Sequence, residues 1–270
     1  MAIVAHNRLL CITYQHLLLV DSQQDKAMFK LNLMRHPERV CMINKDCAAV
    51  TTVTYNDEER YITNNEVHYI TIKDETLELG DKVRVSVRGH IMGICTMKDN
   101  LAVSYNAPPA VEMITKKGKI IDRIGNDTAG REIFISPWYL TASPDYEHIF
   151  VSDNGTHTIT MLNPDLQVLN TFSDRNLLHS PQGLTMWNEK VLVCGVTSNS
   201  IVLLNPNSGQ MSTILDKKDG VKLPVALAFC HQTKTLLFIR CLDELENSIQ
   251  RYKLQWTVYT PHTMTGGVDT

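Results

Sequence analysis

Pro137-Trp-Tyr-Leu140, Pro181-Gln-Gly-Leu184 and Pro224-Val-Ala-Leu227 open three segments alike, 44 and then 43 residues apart. A fixed period of roughly 20–50 residues indicates stacked or radial modules, so this repeat decides the fold before any local motif does. Each opener is followed ten to twelve residues on by an apolar triplet, Ile149-Phe-Val151, Val191-Leu-Val193 or Leu236-Leu-Phe238. A third apolar run then starts at Ile159, Ile201 or Ile249. The same grammar extends backwards. Ile91-Met-Gly-Ile94 leads to Leu101-Ala-Val103 and Val111, Pro37-Glu-Arg-Val40 to Ala48-Ala-Val50 and Val67, and Leu9-Leu-Cys-Ile12 to Leu18-Leu-Val20 and Ala27.

Six units result, the first of them short. They run approximately over residues 6–34, 35–87, 88–132, 133–178, 179–221 and 222–260 of a single domain spanning 1–270. Each offers runs of β-branched and aliphatic residues separated by turn chemistry, with no helical period of useful length. Asp153-Asn-Gly155 is read as a tight reversal with positive-φ residues. Asn163-Pro-Asp165, Asn205-Pro-Asn-Ser-Gly209 and Lys117-Gly118 mark the exits of third strands. An isolated four-stranded sheet would expose two apolar faces, whereas a ring of such sheets buries them and leaves only short edges. The expectation is an all-β, six-bladed β-propeller with four-stranded antiparallel blades. Two segments are candidates for closing the ring: Trp256-Thr-Val-Tyr259 as an outer strand of the last blade, or residues 2–5 completing that blade.

The chain is nearly neutral, with 26 Lys and Arg against 29 Asp and Glu, and has no long run of either sign. Nothing global therefore attracts nucleic acid or an anionic membrane, and neither DNA nor a membrane is expected as a partner. Seven cysteines, at 11, 41, 47, 95, 194, 230 and 241, are odd in number and mostly lie in apolar runs. That suits reduced thiols in a cytoplasmic compartment. The N-terminal stretch lacks the charged and apolar regions of a leader, and no 18-residue apolar segment occurs.

Ser136-Pro-Trp-Tyr-Leu140, His148-Ile-Phe-Val-Ser-Asp153, Ser180-Pro-Gln-Gly-Leu184, Val191-Leu-Val-Cys-Gly195 and Ser198-Asn-Ser-Ile201 resemble the C-terminal NHL or NHL-like propeller of tripartite-motif (TRIM) proteins. The resemblance is clearest between residues 85 and 240. It implies a substrate- or RNA-recruiting module carried behind a RING, a B-box and a coiled coil, the RING acting as a ubiquitin ligase. The sequence departs from that parent pattern in having no C-x-x-C pair, no zinc-spaced Cys and His array and no heptad run. By itself the chain is not expected to transfer ubiquitin.

Among reactive residues, Cys41-x5-Cys47 beside His36 and the isolated Cys194 read as packing rather than as a metal site or a nucleophile. Enzymatic propellers hold a metal over the central channel with converging ligands, and here only Glu38 and His90 are candidates, so no cofactor is expected and metal-dependent hydrolysis is the weaker reading. Binding fits better, because loops carry function while sheets position them. In a four-stranded blade the loop into the first strand and the loop between the second and third strands share one face. That face is expected to carry Arg35, His36, Arg39, Arg88, His90, Tyr105, Arg131, Trp138, Tyr139, His157, His179 and Asn199. Its arc from Arg35 to Arg131 is basic and aromatic, while Leu242-Asp-Glu-Leu-Glu-Asn247 is acidic. Two partners follow: a protein, recruited as the substrate of a ubiquitin ligase, or single-stranded RNA held by phosphate contacts and stacking. The acidic segment and the net charge of −3 favour the protein. The long excursion from Thr54 to Asn65 is a further candidate contact element.

Overall fold

A computed structural model describes residues 1–253 except 5–7, 14, 22–23, 25, 34, 56–61, 86–88, 232 and 241–248. The second half of the chain follows the repeat closely. Blade four comprises β13 (Pro137–Ala142), β14 (Ile149–Asp153), β15 (Thr158–Leu162) and β16 (Val168–Phe172), hydrogen-bonded in sequence order. Blade five repeats this with β17 (Pro181–Trp187), β18 (Lys190–Gly195), β19 (Ser200–Leu204) and β20 (Met211–Leu215), and blade six with β21 (Pro224–Cys230), β22 (Thr235–Arg240) and β23 (Ile249–Lys253). The openers Pro137, Pro181 and Pro224 are each the first residue of an innermost strand, a position where a missing N–H disturbs no ladder.

Blades two and three are β5 (His36–Asn44), β6 (Cys47–Tyr55), β7 (Ile62–Lys73), β8 (Thr76–Arg84) and β9 (Ile91–Met97), β10 (Asn100–Asn106), β11 (Pro109–Thr115), β12 (Ile120–Ile124). Blade one corrects the sequence reading. Its strands are β1 (Ala2–Val4), β2 (Arg8–Ile12), β3 (His16–Asp21) and β4 (Lys26–Asn32). Leu9-Leu-Cys-Ile12 is thus the second strand, not the opener, and the unit is short because its inner strand has three residues. Ala2–Val4 pairs with Leu10–Arg8 and does not complete blade six, whose sheet has three strands among the described residues. Trp256–Tyr259 lies outside the described residues. The reversal after Asp153 is corrected too: its left-handed residue is His157 (φ 61°), not Asn154 or Gly155.

Central strands are buried on both faces, every residue of β14 and β19 being buried, while the outer β12 and β16 are largely exposed and β20 is exposed or half-buried. Six apolar clusters fill the six gaps between consecutive blades. The gap between blades six and one is closed by Leu237 against Leu9, Cys11 and Val20. The ring is therefore shut by side-chain packing there. In blades two to six the ladder between the inner and second strands shifts register near its opener end, between Pro37 and Arg39, at Ser104–Tyr105, and after Pro137, Pro181 and Pro224. A bulge at that place re-aims the side chains that surround the channel mouth. Antiparallel order then puts the entry loops and the second-to-third-strand loops of every blade on one face.

Candidate functional site

At the mouth of the channel on that face, inner strands of three blades meet. Arg39 of β5 lays its guanidinium over the ring of Tyr139 on β13, 4.4 Å from the centroid, and 6.0 Å from that of Trp138. Such a pairing contributes about 0.5–2 kcal/mol, more as water is excluded. Burial pushes the Tyr139 phenol above its ordinary range despite the Arg39 charge. Arg39 Nη1 also donates to the Glu38 carbonyl at 2.7 Å and lies 3.7 Å from the Glu38 carboxylate. The other Glu38 oxygen faces His90 Nε2 at 3.1 Å. Trp138 is held by its indole N–H, which donates to Ser136 Oγ at 2.7 Å.

Blade three lies between Arg39 and Tyr139, and the contact passes it because the intervening inner strand carries Gly93. A Cβ there would sit 2.7 Å from Ser104 Oγ and 2.8 Å from the Trp138 carbonyl oxygen. Gly93→Ala is expected to cost about 1–3 kcal/mol through overpacking. Urea denaturation with an unchanged slope measures it, and a midpoint equal to wild type would refute the close-approach argument.

The other expected face residues divide by environment. His157 Nδ1 accepts the Ser180 amide at 3.0 Å, and its ring lies 5.4 Å from that of His179. Asn199 Oδ1 accepts the Leu223 amide at 2.9 Å. Each is a loop side chain of one blade gripping the entry loop of the next. Arg35 is drawn under the rim: Nη1 donates to Thr54 Oγ1 at 2.7 Å and pairs with Glu66 at 3.1 Å. His36 is half-buried beside it. Arg131 is exposed but clasped by Asp127 at 2.7 Å. Every described arginine of the basic arc thus has a carboxylate within 4 Å. Tyr105 corrects the sequence placement, being fully buried in the cluster between blades two and three. Arg88 and the acidic segment 242–247 lie outside the described residues, as does the tip of the 54–65 excursion.

Two features escaped the sequence reading. Ile135 is 56% exposed on the entry loop three residues before Trp138, while its neighbour Phe134 is fully buried. The alternation Ile133-Phe-Ile135 beside the opener was the available signal. The second is a polar cluster under the rim of blade two. Glu66, with 3% of its side chain exposed, meets Arg35 at 3.1 Å, Lys82 and His68 each at 3.2 Å and the Asn64 amide at 3.0 Å.

Cys41 and Cys194 are packed side chains. Cys194 is fully buried between blades five and six, and burial pushes its thiol well up; Cys41 is likewise pushed up to about 11. Glu38 and His90 meet each other, and among the described residues no third Asp, Glu, His or Cys joins them to form a metal-binding group.

No family model and no curated protein matches the chain. Solved structures do. The chain is similar to a protein of unknown function from Bacteroides caccae (TM-score 0.61, 12% identity, 83% of this chain and 78% of that one). It is similar to a functionally unknown protein from Desulfotomaculum acetoxidans DSM 771 (TM-score 0.62, 11% identity, 92% and 79%). It also resembles the β-propeller domain of Cps50 (Swd1) from Myceliophteria thermophila (TM-score 0.61, 11% identity, 94% and 82%). At these identities the likeness establishes the propeller fold, a fold that hosts many unrelated activities. Among the described residues no helix is long and apolar enough to cross a membrane.

Proposed function

We propose that the chain is a recognition module that binds a protein on the face bearing the channel mouth, and that it performs no catalysis itself. The observation that carries this reading is the stack of Arg39 on Tyr139 and Trp138, rimmed by Glu38–His90 and exposed Ile135. Arginine and large aromatic side chains held rigid beside an exposed aliphatic residue are the composition of binding hot spots. Their order before any partner arrives lowers the entropy cost of association. Protein is favoured over single-stranded RNA because the arc's described arginines already face Glu66, Glu38 and Asp127, which leaves little unopposed charge for phosphates. The sequence resemblance to TRIM propellers supports one role for the partner: a substrate recruited in the cytoplasm to a ubiquitin ligase, the ligase activity belonging to a RING elsewhere in that system.

The test is crosslinking and immunoprecipitation of the tagged protein from its native cells, with proteins and RNA read from the same sample and Trp138→Ala as comparison. Expected is a set of proteins whose recovery falls about tenfold or more in the variant, the loss of one hot spot. Enriched RNA sharing a short motif, or protein capture indifferent to Trp138, would overturn the reading.

A further inference from the structure

Lys116-Lys-Gly-Lys119 turns the chain from β11 into β12, and Ile120-Ile121 follow at once. The turn is fixed by its own hydrogen bonds. The Thr115 amide donates to the Lys119 carbonyl at 2.8 Å and the Gly118 amide to the Thr115 carbonyl at 2.9 Å, while Thr115 Oγ1 accepts the amides of Lys117 and Lys119 at 3.3 and 3.1 Å. Blade two holds it from outside. The Tyr69 hydroxyl donates to the Lys116 carbonyl at 2.5 Å, and a Cβ on Gly118 (φ 80°) would sit 2.5 Å from the Arg84 carbonyl oxygen, so the turn lies directly on β8. With the backbone spent in this way, the side chains are left to solvent: Lys117 and Lys119 are exposed, Ile120 is 45% and Ile121 52% exposed.

The charge around this tip is one-sided. Lys116 Nζ donates to the Lys98 carbonyl at 3.3 Å, which brings the β9–β10 turn and the exposed Lys98 beside it, and the exposed Arg84 adds a fifth cation. Among the described residues none of the four lysines has a carboxylate within 4 Å. Asp99 follows Lys98 in its turn and offsets one charge. Asp122 pairs with Met113, whose side chain packs towards blade four, whereas Ile120 pairs with Ile114 in the gap towards blade two. The register shift between those pairs leaves Ile121 as the extra residue of a bulge, a device that re-aims side chains at a sheet edge.

Scattered exposed isoleucines need no explanation, and lysines alone would suit any anion. Adjacent on one ordered tip, they match an acidic lipid surface, where cations meet the head groups and aliphatic side chains enter the interface. An acidic peptide or RNA would use the lysines and leave the isoleucines in water. We propose that the β11–β12 hairpin docks the propeller on an anionic membrane surface, with Lys116, Lys117 and Lys119 on the head groups and Ile120 and Ile121 in the interface. The near-neutral chain as a whole gives no such attraction; it is local, acting within a Debye length of the tip. The surface is separate from the Arg39–Tyr139 stack and goes beyond protein recognition.

Sedimentation of the purified protein with vesicles of phosphatidylcholine, alone or with about one-third phosphatidylserine, tests this. Binding to the anionic vesicles is expected to exceed that to neutral ones about tenfold or more and to fall steeply as salt rises from about 0.1 to 0.5 M. Each lysine near such a surface changes partitioning roughly fivefold, so Lys117→Glu combined with Lys119→Glu should lower binding at least about twentyfold. Ile120→Ser combined with Ile121→Ser should lower it about tenfold with the salt dependence unchanged, since apolar burial is lost and no charge is. Trp138→Ala should leave vesicle binding as in the wild type, which separates this surface from the recognition face. No binding to the anionic vesicles, or equal binding to both kinds, would overturn the proposal. So would an isoleucine variant that binds as well as wild type, with soluble polyglutamate competing fully, because the partner would then be an acidic polymer in solution.

Discussion

Replacing Asp153 with alanine is expected to destabilise the propeller by about 3–5 kcal/mol, a large part of the 5–15 kcal/mol that holds a typical domain together. Asp153 ends β14 and is fully buried. Its Oδ2 accepts the Ile135 amide at 2.8 Å, and its Oδ1 the amides of Ser136, Gly155 and Thr156 at 3.0, 2.9 and 3.1 Å. The carboxylate thus ties the entry loop of blade four to the loop between its second and third strands. Alanine would leave these four amide donors without their acceptor, and each hydrogen bond to a charged group contributes roughly 1.5–3 kcal/mol, short of additive. Asp153→Asn keeps one acceptor oxygen and should fall between.

The same substitution should loosen the recognition face, because Ile135 and Trp138 hang on the loop that Asp153 anchors. Urea midpoints measure the first effect and partner capture the second. A variant within about 1 kcal/mol of wild type would show that water or a relaxed loop replaces the carboxylate. Blades five and three use weaker devices at related points: Ser198 Oγ accepts the His179 amide at 3.2 Å, and Asn106 Oδ1 the His90 amide at 3.3 Å. Serine or asparagine there is predicted to be worth less because neither acceptor is charged.

The propeller was legible because its inner strands begin with proline three times over, at Pro137, Pro181 and Pro224, and because an apolar triplet at constant distance is hard to reconcile with helix. The first unit was misframed for a concrete reason. Ala2–Val4 is too short to show period-two alternation and has no proline before it, so the pattern locked on to Leu9 one strand late. Tyr105 was misplaced because an aromatic at a strand end before Asn106 reads as a loop residue, whereas a bulge in the β9–β10 ladder turns it inward. Arg39, Trp138 and Tyr139 were chosen from the sequence for composition and position. Their mutual stacking was not readable, since the arginine and the rings are about a hundred residues apart and meet only because Gly93 lets the intervening strand lie close. The Glu66 cluster did leave a trace. Asn64, Glu66 and His68 alternate along one face of β7 before Ile70 and Ile72 continue that face as core. Without Arg35, which arrives from the entry loop, nothing in that alternation distinguishes a buried ionic group from a solvated edge.

That cluster should make the propeller acid-sensitive in two steps. Burial drives the His68 imidazole below its ordinary 6.5, with Lys82 and Arg35 adding to the shift, and the nearby Glu66 opposes them without prevailing. For Glu66, burial pushes the carboxyl up, but the Lys82 hydrogen bond, the charges of Arg35 and Lys82 and the Asn64 amide together carry it below the ordinary 4.5. Both groups therefore bind protons less readily folded than unfolded. Stability is full above the unfolded value of each and is lost as pH falls through the folded one. Thermal midpoints should accordingly hold from pH 8 to just above 6.5, decline as His68 is forced to charge in a buried site, and decline again below about 4.5 as Glu66 is neutralised. Removing the carboxylate at neutral pH should be worse than either step. Glu66→Ala takes the carboxylate from a half-buried Arg35, which keeps only Thr54 Oγ1, and leaves the buried Asn64 amide without its acceptor; because Arg35 and Lys82 reach water, the cost should be about 1–3 kcal/mol, below that of a fully buried orphaned charge. Glu66→Gln, which keeps the shape and an acceptor, should cost less and should remove the lower acid step while the upper one persists. His68→Phe should remove the upper step alone. A midpoint that stays flat from pH 8 to 5 in the wild type would mean that the cluster opens to water before it titrates, and the buried ionic group would then contribute nothing to the pH range in which the propeller is stable.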